Sequence, residues 1–204
     1  MSRKKIGIMG GTFDPIHNVH LILAENAYRD YGLDKVVILP NANPPHKTGR
    51  RPVTSAQDRM NMIRLACEGV PYFQPSEFEM ERAGLSYTSD TLKLLHEQHP
   101  DSDYYFIMGG DSLFEIESWH QPDKIMRQCI ILAGVRNGIS MDAFVGRAYS
   151  LMMKYRADIR ILNVPDLGIS STMIRKRIRD GLSIRYLVPD SVEQYIREHK
   201  LYTD

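Results

Sequence analysis

Two short apolar runs, KKIGIM from Lys4 and DKVVILP from Asp34, flank a segment whose apolar residues recur at helical spacing: Leu21, Leu23, Ala24, Ala27 and Tyr28. Continuous apolar runs of this length read as strands covered on both faces, as in a parallel sheet. Gly32 falls where a helix running from about Asn18 to Tyr31 would need a left-handed terminating residue. Strand, helix and strand in this order predict a right-handed βαβ unit. That unit limits the fold more than any other feature, because its helix must lie on the sheet and its strands must be parallel.

The alternation continues. TSAQDRMNMIRLACEG predicts a helix with a capping box at Thr54 and Gln57 and a stop at Gly69. YFQPSEFEMER reads as irregular strand. TSDTLKLLHEQHP predicts a helix capped by Thr88 or Ser89 and ended before Pro100. DYYFIMGGDS reads as a strand entering a Gly-Gly-Asp loop, and IILAGV and DIRILNV as strands on either side of a helical SMDAFVGRAYSLMMKYR. The expected architecture is α/β: a Rossmann-like doubly wound parallel sheet with helices on both faces. SSTMIRKRIRDG and PDSVEQYIREHK add two closing helices, a small C-terminal helical subdomain over about residues 168–204 of one domain spanning 1–204.

Composition narrows the class. A chain of 204 residues, 43% hydrophobic, has enough apolar content for one sizeable core. A formal net charge of +1 argues against nucleic-acid or polybasic membrane partners. Cys67 and Cys129 suggest neither a disulfide framework nor a cysteine metal site, and so a cytoplasmic setting. The basic start MSRKK precedes too short an apolar stretch for a signal peptide, and no run approaches the roughly 18 residues of a membrane span. NANPPHKTGRRPVT reads as a long exposed functional loop. The sequence leaves assembly into a homo-oligomer open.

Chemistry concentrates in two stretches. In GGTFDPIHNVH, Gly10 and Gly11 end the first strand, where ligands bind in open α/β sheets. The following helix offers N–H groups and a positive dipole end to phosphate. His17 and His20, at i and i+3, are expected on one helical face, as hydrogen-bond donors and as cations offsetting negative charge. Neither the dinucleotide fingerprint nor a P-loop lysine is present. A histidine metal pair lacks an evident third ligand, so no protein-held metal is expected. In GISSTMIRKRIRDG, Ser170, Ser171 and Thr172 open a helix with Arg175 one turn in, a set that also suits polyphosphate. A doubly wound sheet can bring both stretches to one crevice and hold a nucleoside triphosphate there.

GGTFDPIHNVH resembles the [T/H]-x-G-H region of the nucleotidyltransferase α/β-phosphodiesterase superfamily, and ISSTMIR resembles its second signature. With PNANPPHK, SYTSDTL, FIMGGDSLFEIESW and IRYLVPDSVEQYI, nearly the whole chain is similar to the bacterial nicotinate-nucleotide adenylyltransferase family. The resemblance implies transfer of AMP from ATP, with Mg²⁺, to nicotinate mononucleotide by direct attack, without a covalent enzyme intermediate. It implies catalytic roles for His17, His20 and Arg175, and ATP binding by Gly10, Gly11, Thr12, Phe13, Asp111, Ser171 and Thr172. It further implies mononucleotide binding by Asn41, His46, Lys47, Thr88 and Trp119, the only tryptophan. Related enzymes using nicotinamide mononucleotide or phosphopantetheine are the nearest alternatives, ahead of a Rossmann redox enzyme or a non-catalytic nucleotide sensor. One departure stands out: Val19 occupies the position before the second histidine where the family has glycine, and its branched Cβ is expected either to crowd the site or to turn toward the sheet.

Overall fold

The computed structural model describes residues 3–41, 54–82, 84–135, 139–165 and 167–203. Six strands are present: β1 (Lys4–Gly11), β2 (Lys35–Pro40), β3 (Phe73–Pro75), β4 (Ser102–Gly109), β5 (Ile130–Gly134) and β6 (Ile159–Leu162). They form one parallel sheet in the order β3-β2-β1-β4-β5-β6. The helices are α1 (Asn18–Tyr31), α2 (Ala56–Cys67), α3 (Thr88–Gln98), α4 (Gly110–Glu115), α5 (Pro122–Gln128), α6 (Met141–Tyr155), α7 (Ser171–Arg179) and α8 (Asp190–Glu198). The expected doubly wound sheet is therefore present.

Strand periodicity explains the two cores. Alternate residues of a strand point to opposite faces. Ile8 of β1 and Phe106 of β4 join one buried cluster, with Leu92, Leu113, Ile125 and Phe144 from α3, α4, α5 and α6. Met9 and Ile107, one residue on, join the other, with Leu23, Met62, Ile174 and Val192 from α1, α2, α7 and α8. The C-terminal helices thus share the core beneath α1 and α2.

Helix boundaries follow the local chemistry with four corrections. Gly32 closes α1 in the left-handed region at φ 57°, its N–H donating to the Tyr28 carbonyl. The cap of α2 is Ser55 and not Thr54: its hydroxyl accepts from the Asp58 N–H. Neither Thr88 nor Ser89 caps α3, since Thr88 is already its first residue and Tyr87 its N-cap. The Gly-Gly-Asp stretch is no loop; Gly110 and Asp111 form the first turn of α4, a helix whose opening glycine hides it from propensity. α5, opening on Pro122, escaped the periodicity reading because it holds only seven residues.

The order of strands reverses between β1 and β4, so the switch point lies where Gly10–Gly11 and Gly109 end neighbouring strands. Both cysteines are buried, and burial pushes each thiol up to about 12, far from a reactive thiolate. Among the described residues no helix is long and apolar enough to cross a membrane.

Candidate active site

The loop from β1 into α1 is held in a strained shape by its own aromatic ring. Phe13 adopts φ 51°, a left-handed conformation costly for a residue with a side chain. The ring turns back over Gly11, where an added Cβ would lie 2.9 Å from Phe13 Cζ. Gly11 is thus required by the Phe13 ring as well as by the cleft that it lines. The other side of that ring meets His20 edge to face, with centroids 5.0 Å apart.

His17 and His20 do not share a helical face as expected. His17 is the N-cap of α1, with extended backbone, and its ring stacks on that of His20 at 3.7 Å between centroids and 23° between planes. The His17 backbone N–H donates to His20 Nδ1 at 3.2 Å. A backbone N–H can only donate, so Nδ1 must hold a lone pair and the ring's proton sits on Nε2. In this arrangement His20 acts as a donor through Nε2 and not as the expected cation. Protonating Nδ1 would break the cap bond, and two stacked imidazolium ions would repel. His20 is therefore a neutral donor aimed by three contacts. Val19 does not crowd it: its side chain is buried in the core with Leu23 and Ile174.

Behind the loop stands a polar framework drawn from distant parts of the chain. The buried Asp14 carboxylate accepts from Thr54 Oγ1 at 2.6 Å and from Tyr202 Oη at 2.7 Å. Arg59, 1% exposed, donates through Nη1 to the carbonyls of Thr12 and Asn41 at 2.8 and 2.9 Å. Burial pulls the Arg59 guanidinium below its ordinary range, while the nearby Asp14 charge opposes that shift. The Tyr202 phenol is pushed upward, first by burial and then by Asp14. From α7, Arg175 Nη1 donates to the Asp14 carbonyl at 2.6 Å and Ser171 Oγ to the Pro15 carbonyl at 2.9 Å. The two signature stretches, expected to share one crevice, are joined by these bonds.

The opposite wall of the cleft comes from residues 79–92 and 112–120. Trp119 follows a 3-10 turn (Ile116–Ser118) and sets its indole edge to face with Phe106, 6.1 Å between centroids. Within that turn, Glu117 accepts from Arg147 Nη1 at 2.7 Å, Lys154 Nζ at 2.6 Å and Tyr155 Oη at 2.9 Å, mooring the segment to α6. These donors hold the Glu117 carboxyl down to about 2, the lysine contributing most. Tyr87 packs on His120 at 4.2 Å across the rim.

Gly10, Gly11, Thr12, Phe13, His20, Asn41, Thr88, Trp119 and Ser171 all line this one cleft. His17, Asp111, Thr172 and Arg175 are not among its lining residues. Asp111 is half-buried in the first turn of α4, between the lining residues Gly109 and Ser112. Arg175 Nη2 reaches Thr172 Oγ1 at 3.3 Å, beside the bond from its Nη1 to the Asp14 carbonyl. His46 and Lys47, with most of the proline-rich loop, lie outside the described residues. Four residues that shape the site were missed: Asp14, Arg59, Tyr202 and Glu79. Only Arg59 left a trace, a cation one position before the buried run Met60, Met62 and Ile63.

Comparison with known proteins gives a consistent result. Residues 8–177 match the family model described as cytidylyltransferase-like. The chain is 43% identical over 199 residues to a Lachnoclostridium phytofermentans protein named "Probable nicotinate-nucleotide adenylyltransferase", covering 98% of this chain and 99% of that one. A Desulfitobacterium hafniense protein of the same name is 42% identical, with 98% and 96% covered. Among solved structures, the Plasmodium falciparum nicotinic acid mononucleotide adenylyltransferase complexed with NaAD superposes with a TM-score of 0.80 at 22% identity, covering 98% of this chain and 97% of that one. That last likeness bears on the fold alone.

Proposed function

This chain belongs to the cytidylyltransferase-like family, and on that premise we propose that it transfers AMP from ATP to nicotinate mononucleotide, releasing pyrophosphate. The observation that carries the reading is one cleft at the strand-order reversal with two differently built walls. One wall has His20, in the first turn of α1, and Ser171; the other has Thr88 and Trp119. The first suits a triphosphate and the second a planar heteroaromatic ring.

In this reading a phosphate oxygen of the mononucleotide attacks the α-phosphorus. The bond to the bridging oxygen breaks, and pyrophosphate leaves with that electron pair. No side chain becomes covalently attached, so the protein contributes positioning and charge stabilisation. His20 donates Nε2–H to a non-bridging α-phosphate oxygen, where charge develops. Its Nδ1 cap bond and the flanking His17 and Phe13 rings fix that donor before substrate arrives. Ser171, Thr172 and Arg175 receive the leaving pyrophosphate at the start of α7. Gly10, Gly11, Thr12 and Phe13 face the nucleotide through backbone, and Asp111 is assigned to its ribose. Asn41, His46 and Lys47 are assigned to the mononucleotide phosphate, and Thr88 and Trp119 to its ring.

Mg²⁺ enters this scheme as part of the substrate. A small hard cation carried on a triphosphate takes its ligands from phosphate oxygens and water, and among the described residues no cluster of three or more His, Cys, Asp or Glu forms a protein cage. One nucleotidyltransferase unit over residues 1–204 fits the shared core, and a cytoplasmic setting fits two free thiols. The test is pyrophosphate release from ATP, Mg²⁺ and nicotinate mononucleotide. Release that depends on all three is expected; none with purified protein would overturn the assignment.

A further inference from the structure

We propose that the outer face of α6 is a self-association surface, pairing two copies of this chain antiparallel about a two-fold axis at Tyr149. Of the eleven large apolar residues exposed among the described residues, five lie on this one helix: Met141, Val145, Tyr149, Met152 and Met153. Tyr149 and Met153 are 62% and 66% exposed. The opposite face of α6 packs into the core through Phe144, Ala148 and Leu151. A third side, with Arg147, Lys154 and Tyr155, turns to Glu117. The five apolar residues are left as one stripe in solvent, about 18 Å long at 1.5 Å per residue. Single exposed apolar residues are ordinary, but a continuous stripe marks an interface.

The occupant that this stripe fits is a second copy of itself. Val145 and Met153 lie four residues to either end of Tyr149 and about 40° to either side of it. A second α6 turned end for end about Tyr149 therefore sets Val145 against Met153 of the second copy. Tyr149 meets its own equivalent on the axis, an aromatic pair. Met152 falls opposite Gly146, where nothing stands within 4 Å of the position a Cβ would take. The same turn brings Asp142, in the first turn of α6, to Arg156, the exposed residue that ends it. Opposite charges then meet at both ends of the pair, whereas a parallel pair would set like charge on like. Strand addition at the neighbouring sheet edge is blocked: the Ile161 and Asn163 carbonyls beside edge strand β6 already accept from Tyr31 Oη and Asn26 Nδ2, at 3.2 and 2.8 Å. One helix face per copy lies at the low end of specific interfaces, so the pair is reversible. No residue of α6 lines the cleft, so pairing leaves each copy's reaction intact.

The experiment is sedimentation velocity on the full chain between about 1 and 100 μM, the range suited to so small an interface. The unsubstituted protein should pass from monomer to dimer across that range. Tyr149→Glu places two carboxylates on the axis and should weaken dimerisation at least roughly 100-fold, with circular dichroism and kcat unchanged. The charged ends give an independent arm. Asp142→Arg and Arg156→Glu should each weaken dimerisation roughly tenfold when alone, because like charges then meet at both ends. An equimolar mixture of those two proteins should regain the unsubstituted affinity, since each copy supplies the charge that the other lacks. A protein monomeric throughout the range, a dimer untouched by Tyr149→Glu, or a mixture no tighter than its components would overturn the proposal. Monomers that instead sediment with phosphatidylcholine vesicles would also overturn it, and would assign the stripe to a lipid surface.

Discussion

The wall of the cleft built from residues 10–20 and 170–175 differs from the wall built from residues 79–92 and 112–120 in how completely its polar groups are satisfied before a ligand binds. On the first, buried Asp14 takes two hydroxyl donors, Arg59 spans two carbonyls, and Ser171 and Arg175 hold the loop backbone. On the second, three buried atoms, Glu79 Oε2, Arg82 Nη1 and Ser89 Oγ, have no partner among the described residues, against Arg59 Nε behind the first. The contrast matches the chemistry assigned to each. A developing phosphate charge is stabilised best by donors already aimed, which need no rearrangement during reaction. A selective ring pocket gains instead from polar groups that only the right substituent completes.

Substitutions on each wall sharpen this contrast, the largest effect first. His20→Ala removes the aimed donor and should lower kcat on the order of 100- to 1000-fold. The lost cap bond costs only about 1 kcal/mol, so the variant should remain folded by circular dichroism. Near-normal turnover would mean that the aimed imidazole does not act on the transition state. Tyr202→Phe deprives buried Asp14 of one of its donors. A hydrogen bond to a charged group is worth roughly 1.5–3 kcal/mol, so the melting temperature should fall by about 3–12 °C. KM for ATP should rise more than KM for the mononucleotide, since Asp14 lies in the phosphate loop; equal rises would break the division between the walls.

Glu117→Gln tests the other wall and should have the smallest effect. The residue is partly exposed, so its ion pairs contribute at most about 1 kcal/mol. Because its carboxyl is held down to about 2, that contribution is complete above the ordinary value near 4.5 and disappears as pH falls toward 2. The variant should melt about 2–4 °C lower at neutral pH and converge with the unsubstituted protein in acid. Its KM for the mononucleotide should rise slightly through the Trp119 turn, with KM for ATP unchanged.

Much of the site was legible because its residues are close in sequence and chemically distinctive. Gly10, Gly11, His20, Ser171 and Trp119 were all expected in one site, and all line the cleft. The placement of His17 was misjudged because a residue at a helix start can lie just outside the first turn, and i,i+3 spacing does not reveal which. For Val19 two placements stayed open, crowding the site or turning toward the sheet, because spacing alone could not tell which face of α1 it occupies; it is buried in the core. Glu79, in a segment read as irregular strand, left no signal at all.

The sequence alone determined the alternation of parallel strands and helices, the strand-end glycines and the two signature stretches. Each depends on apolar periodicity or backbone freedom over a few adjacent residues, which local order expresses. Tertiary structure decided what joins those pieces. Asp14 meets Tyr202 across 188 positions, and Arg175 reaches the Asp14 carbonyl across 161. Such pairs carry no local pattern, because burial and hydrogen-bond satisfaction are settled only when distant segments pack. The same holds for the proton on His20, which the His17 N–H assigns only once α1 has formed on the sheet.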